Sequence, residues 1–371
     1  MTTGPRGPVA RIRLRSLLAV AIVTAGYLAA AEMVLRFLPV ATGLSSVAVS
    51  ERQPIFHFEP NRRFVYSQGW RLHQVNRGRT NNAGWVNDQD YSRDDPLPLI
   101  AVIGDSYIEA AMVSYAQTVQ GRLAAALKGR FRVYSVAASG APLSEFPVYA
   151  GYAVREFGAR AIVFNIANYD FAESDIIYNA PLGMWVYAGA GNDRRLRLVP
   201  YRPGWLRLAV RHSALLRYLV LNLRLDRTLS AARIAGLAPL RSAVAEPAAA
   251  DAQTARLAAA NGVIADFFRD LSRLSGLPAD RVLFVMDGFR YPELAAAEKD
   301  SDTDRLRQEF RAAAEARGYQ TVDLDPIFFE RYRQSGSHFE MPGDRHWNGE
   351  GHAVAAEGVL SSRLLNAISR P

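Results

Sequence analysis

The chain has 371 residues, 49% hydrophobic and 22% charged, enough apolar content for a sizeable core and not a disordered profile. It has no cysteine, which excludes disulfides, thiolate metal sites and a cysteine nucleophile. The net charge of +8 is local: four arginines precede the first apolar run, residues 194–241 hold eleven arginines and one acid, and the remainder is net negative, which argues against nucleic acid as a partner.

In chain order, Arg6, Arg11, Arg13 and Arg15 lead into Leu17–Ala31, fifteen residues without a charge. Extended to Leu38, the run spans roughly 33 Å as a helix, enough to cross a bilayer. Residues 1–16 read as a cytoplasmic basic tail and 17–38 as a transmembrane signal anchor. Glu32 and Arg36 stand four apart and can pair near the far interface. Cleavage after Ala29-Ala30-Ala31 as a secretory signal, or burial as a soluble helix, are the alternatives. The positive-inside rule puts the bulk of an exported chain outside the cytoplasm, in the periplasm or at the cell exterior, on a single-pass inner (cell) membrane protein.

Residues 39–95 are polar and rich in turn formers, and read as a stalk or as an N-terminal extension packed on the main domain. From Leu97 the pattern changes. Strands are expected at 97–103, 131–137, 160–167, 281–287 and 319–324, with helices near 118–128, 143–157, 252–275, 302–317 and 349–367. Such alternation predicts an α/β fold: a three-layer sandwich whose central sheet of about five strands is mainly parallel, occupying 96–371. An insertion at about 172–250 reads as an Arg-rich helix. It puts Trp205, Leu208, Leu215, Leu219 and Leu223 on one face, suited to packing on the main domain or to an anionic membrane surface or acidic glycan.

In parallel sheets, sites form at the carboxyl ends of strands. Ser106 stands at one such end, in Gly104-Asp105-Ser106 directly after the first strand. A serine is a weak nucleophile until a base takes its proton and a carboxylate steadies that base. Near the C-terminus, "GDRHWNGEGH" supplies His346 as candidate base and Asp344, two residues upstream, as candidate orienting acid. Ser106 N–H, Gly140 in the loop after the second strand and the Asn168 amide after the third are candidate oxyanion donors. Asn165 lies inside an apolar run and reads as a buried, satisfied amide. Asp105 reads as a turn residue and His352 as structural, while His57, His73, His212 and His338 show no partner pattern. An Asp344/His346/His352 metal site lacks a further nearby ligand, so none is assigned.

These blocks resemble those of the SGNH (GDSL-type) hydrolase family: Gly104-Asp105-Ser106 for the nucleophile block, Gly140 for the glycine, Asn168 for the asparagine, Asp344 and His346 for the acid and base. Two departures stand out. The asparagine block reads Ile166-Ala167-Asn168-Tyr169-Asp170 in place of glycine-x-Asn-Asp, and acid and histidine stand two apart instead of three. The Asp-x-His-Trp form and the N-terminal anchor look like the branch with alginate-type O-acetyltransferases and other envelope-polysaccharide proteins. The resemblance implies a serine esterase that acts on O-acyl, often O-acetyl, groups of a cell-envelope carbohydrate through an acyl-serine, with no metal or organic cofactor. The resemblance extends to envelope polysaccharide assembly proteins as partners. The alternatives are an O-acyltransferase with the same triad, and a catalytically silent anchored glycan-binding or assembly protein.

Overall fold

Nine strands are formed in the computed structural model, which describes residues 8–167, 181–189, 191–225 and 249–369. They are β1 (Arg63–Gln68), β2 (His73–Arg79), β3 (Leu99–Gly104), β4 (Arg132–Ala137), β5 (Ala159–Ile166), β6 (Trp185–Ala188), β7 (Arg195–Leu198), β8 (Val282–Met286) and β9 (Gln320–Asp323). The five apolar runs expected from the sequence form one parallel sheet in the order β4-β3-β5-β8-β9. All six residues of β3 are buried, because a parallel strand covered by helices on both faces has no solvent side.

Successive side chains of β3 go to opposite faces. Leu99, Ala101 and Ile103 join one cluster, with Phe146 and Tyr149 of helix Phe146–Phe157, Phe267 and Phe268 of helix Ala249–Ser275, and Phe310 of helix Asp302–Glu315. Ile100 and Val102 join the other, with Leu123 of helix Val119–Ala126, Phe328 of helix Asp325–Ser335 and Val354 of helix Gly349–Leu360. These are the three layers. The chain passes from β4 on one side of β3 to β5 on the other, so the strand order reverses at β3. That reversal opens a crevice beyond its carboxyl end.

By contact, the chain divides into two compact units. One comprises Met1–Gly43, Phe64–Asn76 and Gly204–Pro239; the other, with the five-stranded sheet, comprises Leu44–Arg63, Arg77–Pro203 and Leu240–Pro371. In the larger unit Phe56, Phe58, Trp85 and Tyr91 are buried in the first cluster, so the polar, turn-rich stretch before Leu97 contributes these aromatic side chains to the core. In the smaller unit Pro8–Phe37 is one helix. Within its Arg15–Phe37 portion an 18-residue window has a mean hydropathy of 2.0, none of it is buried, and the helix is long and apolar enough to cross a membrane.

The described part of the 172–250 insertion is not the single helix expected. It opens with the antiparallel pair β6–β7 and continues in two short helices, Trp205–His212 and Ala214–Arg217, followed by a π turn, Tyr218–Asn222. The break is Ser213. Its backbone is extended (φ −116°, ψ 123°) and its side chain accepts the Leu216 N–H, the N-cap role that serine favours over a helix interior. The apolar stripe drawn from Trp205 to Leu223 is therefore cut in two.

Candidate active site

The sheet brings the candidate loops to one edge. Gly104 at the end of β3 pairs with Ala137 at the end of β4, and Ile103 with Phe164 of β5. The loops after these strands begin at Asp105, Ala138 and Ala167.

The chain leaves β3 into a single helical turn, Ser106–Glu109. Asp105 caps it: Oδ1 accepts the Tyr107 N–H at 3.0 Å. The turn folds tightly against the strand end, since a side chain on Gly104 would meet Ile108 at 2.6 Å. Only glycine leaves that room.

Ser106, His346 and Asp344 form one hydrogen-bonded relay. Ser106 Oγ lies 2.7 Å from His346 Nε2, and His346 Nδ1 lies 2.5 Å from Asp344 Oδ1. A carboxylate only accepts, so Nδ1 carries the proton and Nε2 is left as acceptor for the serine hydroxyl. The alternative partner for that hydroxyl, Asp105 Oδ2, is farther at 3.4 Å. The relay is partly shielded: 25% of the His346 side chain and 16% of the Asp344 side chain are exposed.

The loop that carries Asp344 and His346 is pinned on both sides. Asn348 caps helix Gly349–Leu360 by accepting the Glu350 and Gly351 N–H groups, and its amide donates to the His338 and Glu340 carbonyls. Met341 N–H donates to the His346 carbonyl at 2.9 Å.

Across the loop sits Arg290, buried, which sequence reasoning missed. It donates to the Arg345 carbonyl (2.7 Å), to Glu340 (3.1 Å), to the Tyr107 hydroxyl (2.9 Å) and to Asp287 (2.6 Å). Tyr107 in turn donates to the Arg345 carbonyl at 3.0 Å, and its ring lies 5.0 Å from the His346 ring. One guanidinium thus ties the turn that carries Ser106 to the loop that carries His346. The available signal was an acid directly after an apolar run, in Asp287-Gly288-Phe289-Arg290, the same pattern that marked Ser106.

Glu109 was also missed. It is fully buried one turn beyond Ser106, and its carboxyl accepts both the N–H and the Oγ–H of Ser139, each at 2.7 Å. Ser139 precedes Gly140 in a turn closed by the Ala141 N–H on the Ala138 carbonyl. Gly140 has φ +77°, which glycine adopts without strain, and it is exposed at the tip. The Ser106 and Gly140 N–H groups have no hydrogen-bond acceptor among the described residues. Asn168 lies outside the described residues.

Burial raises the Glu109 carboxyl from its ordinary 4.5 to about 7, against the pull of the two Ser139 donors. Between those values the folded chain keeps a proton that the unfolded chain has released, so stability falls as pH rises through that window. Glu109→Gln retains an acceptor for the Ser139 N–H and cannot ionise. It should remove that slope, worth about 3 kcal/mol at most, in urea midpoints measured from below pH 4.5 to above pH 7.

Asn165 differs from expectation. It is buried, 2% exposed, but neither amide atom has a hydrogen-bond partner among the described residues. Alternation along β5 explains the burial: Asn165 shares the face of Val163 and Ala167, which belong to the second cluster. His352 is buried, accepts the Val119 N–H at 3.3 Å, and is pushed down to about 3 by burial, so it stays neutral and structural. A separate cavity of about 890 Å³ is lined by Trp185, Arg195, Asp266 and Arg269 among others; no member of the relay lines it.

No family model matches the chain, and no curated protein matches it. Solved structures similar to it include a member of the lipolytic G-D-S-L family from Veillonella parvula (9% identity, 71% of this chain and 96% of that chain, TM-score 0.35). A carbohydrate acetylesterase family member from Sinorhizobium meliloti is 11% identical (73% and 100%, TM-score 0.38). An acetylxylan esterase from Geobacillus stearothermophilus is 10% identical (76% and 98%, TM-score 0.37). The chemistry of the site rests on the distances above and not on that likeness.

Proposed function

We propose that the protein is a serine esterase whose nucleophile is Ser106. The relay from Ser106 Oγ through both nitrogens of His346 to Asp344 carries this reading. Ser106 Oγ attacks the acyl carbonyl carbon while Nε2 takes its proton. The tetrahedral oxyanion is met by the Ser106 and Gly140 N–H groups, with Asn168 as the third donor from the sequence pattern. As the C–O bond breaks, the imidazolium returns its proton to the leaving alcohol, leaving an acyl-serine. Water, deprotonated by the same nitrogen, releases the acid and restores Ser106.

The substrate class is an O-acyl group, foremost O-acetyl, on a cell-envelope carbohydrate, on the strength of the resemblance drawn from the sequence blocks. The N-terminal helix serves as an uncleaved membrane anchor. Its arginine-rich start stays in the cytoplasm and the catalytic unit faces the other side.

The full chain in detergent should release acetate from an aryl acetate. A fluorophosphonate should label Ser106, identified by peptide mass, and labelling should abolish turnover. A folded protein that neither turns over the ester nor takes the label would show a silent binding protein. Acetyl appearing on an added sugar faster than in water would mark a transferase.

A further inference from the structure

Beyond Leu38, eight large hydrophobic side chains are exposed among the described residues. Five of them fall in two short segments: Trp70 and Val75, and Trp205, Leu208 and Leu216. Both segments belong to the same compact unit as the apolar N-terminal helix. Trp205 is 79% and Trp70 67% exposed, an arrangement that water does not favour. Residues 64–76 and 204–225 also carry Arg71, Arg207, Arg211, Arg217 and Arg224, and no acid. The Arg71 guanidinium lies 4.8 Å from the centre of the Trp70 ring.

Polar bonds fasten these segments to the end of the helix. Glu32, five residues before the helix ends at Phe37, accepts from Ser213 Oγ (2.8 Å), Ala214 N–H (3.0 Å), Leu215 N–H (2.8 Å) and Arg36 Nε (2.9 Å). It thereby caps the helix that begins at Ala214. Four donors also occupy a carboxylate that would be costly to leave bare at membrane depth. Farther along, the Tyr218 hydroxyl donates to the Trp70 carbonyl at 2.9 Å, and the Asn222 amide donates to Ser67 and accepts from Ala41 N–H.

We propose that the Trp70–Arg71 turn and residues 204–225 form a collar that lies in the headgroup layer of a phospholipid bilayer, around the outer end of the membrane helix. Trp70, Trp205, Leu208 and Leu216 reach toward the acyl chains, and the exposed Arg71, Arg207 and Arg224 meet lipid phosphates. Aromatic side chains at the interface and arginines beside apolar side chains are the composition that such a layer selects. The collar rests on the reading of the N-terminal helix as a membrane span.

The test uses the full chain reconstituted in phosphatidylcholine vesicles with and without bromine on the acyl chains. Of the five tryptophans, Trp85 and Trp347 are fully buried and Trp185 is half-buried in the other compact unit, so acyl-chain bromine should quench chiefly Trp70 and Trp205. Emission of the wild type should drop in brominated vesicles. The drop should shrink in Trp205→Phe and in Trp70→Phe and be lost in the double variant. Protein that survives an alkaline carbonate wash yet is unquenched, or a double variant quenched as fully as wild type, overturns the collar while the span stands. Release by carbonate overturns the span, and the collar with it.

Discussion

Ser106→Ala is expected to lower ester turnover by on the order of 10⁶-fold in kcat, with the thermal midpoint little changed. In the proposed mechanism the hydroxyl is the attacking atom, and without it His346 has no serine proton to take. Its structural partners are few: among the described residues, Ser106 Oγ hydrogen-bonds only to His346 and, at 3.4 Å, to Asp105. The cap on this turn is Asp105, and the grip on the neighbouring loop is Glu109, so the substitution leaves the local fold intact. Initial rates on an aryl acetate, beside calorimetry of the same preparations, decide it. An alanine variant that keeps more than about a tenth of wild-type turnover rules out the serine mechanism.

The next largest effect belongs to Asp344→Asn, about 10⁴-fold in kcat. Asp344 Oδ1 accepts from the His346 ring and, at 3.2 Å, from the His346 backbone N–H. Both bonds end on Oδ1, so an asparagine keeps them only with its amide oxygen in that place; turned the other way, its NH₂ group presents a donor where the ring needs an acceptor. The ring then favours the tautomer with its proton on Nε2, facing Ser106, and cannot take the serine proton. No carboxylate remains to steady the imidazolium. KM should change little, because both effects appear as charge develops. Steady-state kinetics of the folded variant check this, and a loss below tenfold would remove Asp344 from the relay.

Much of the fold was legible because its signals are local. A buried parallel strand must be apolar along its whole length, so five such runs separated by amphipathic segments describe a doubly covered sheet. The Ser106 turn is marked by residue types with short-range reasons: Gly104 where Ile108 leaves no room for a side chain, and Asp105 where a helical turn needs a cap. Asp344 and His346 were readable for a similar reason. They stand two residues apart before a helix, and the contact between them is made within the loop.

The insertion was misread because periodicity over 205–223 does not register one extended residue, Ser213, which resets the face. Asn165 was misread because burial follows from strand alternation, whereas a partner for its amide depends on what packs above it.

From the sequence alone followed the alternation of strands and helices, the position of Ser106 at a strand end, and the order of Ser106, Asp344 and His346 along the chain. Those follow from backbone sterics and hydrophobic periodicity, which act over a few residues. Tertiary structure alone decided that His346 reaches a serine 240 residues away and that Arg290 bridges to Tyr107 across 183 residues. It also decided that Trp85, from a polar stretch, lies in the core and that Glu109 is sealed from water against Ser139. These are pairings between segments that no local pattern relates. They exist because buried donors, acceptors and charges must find partners wherever the packed sheet happens to bring them.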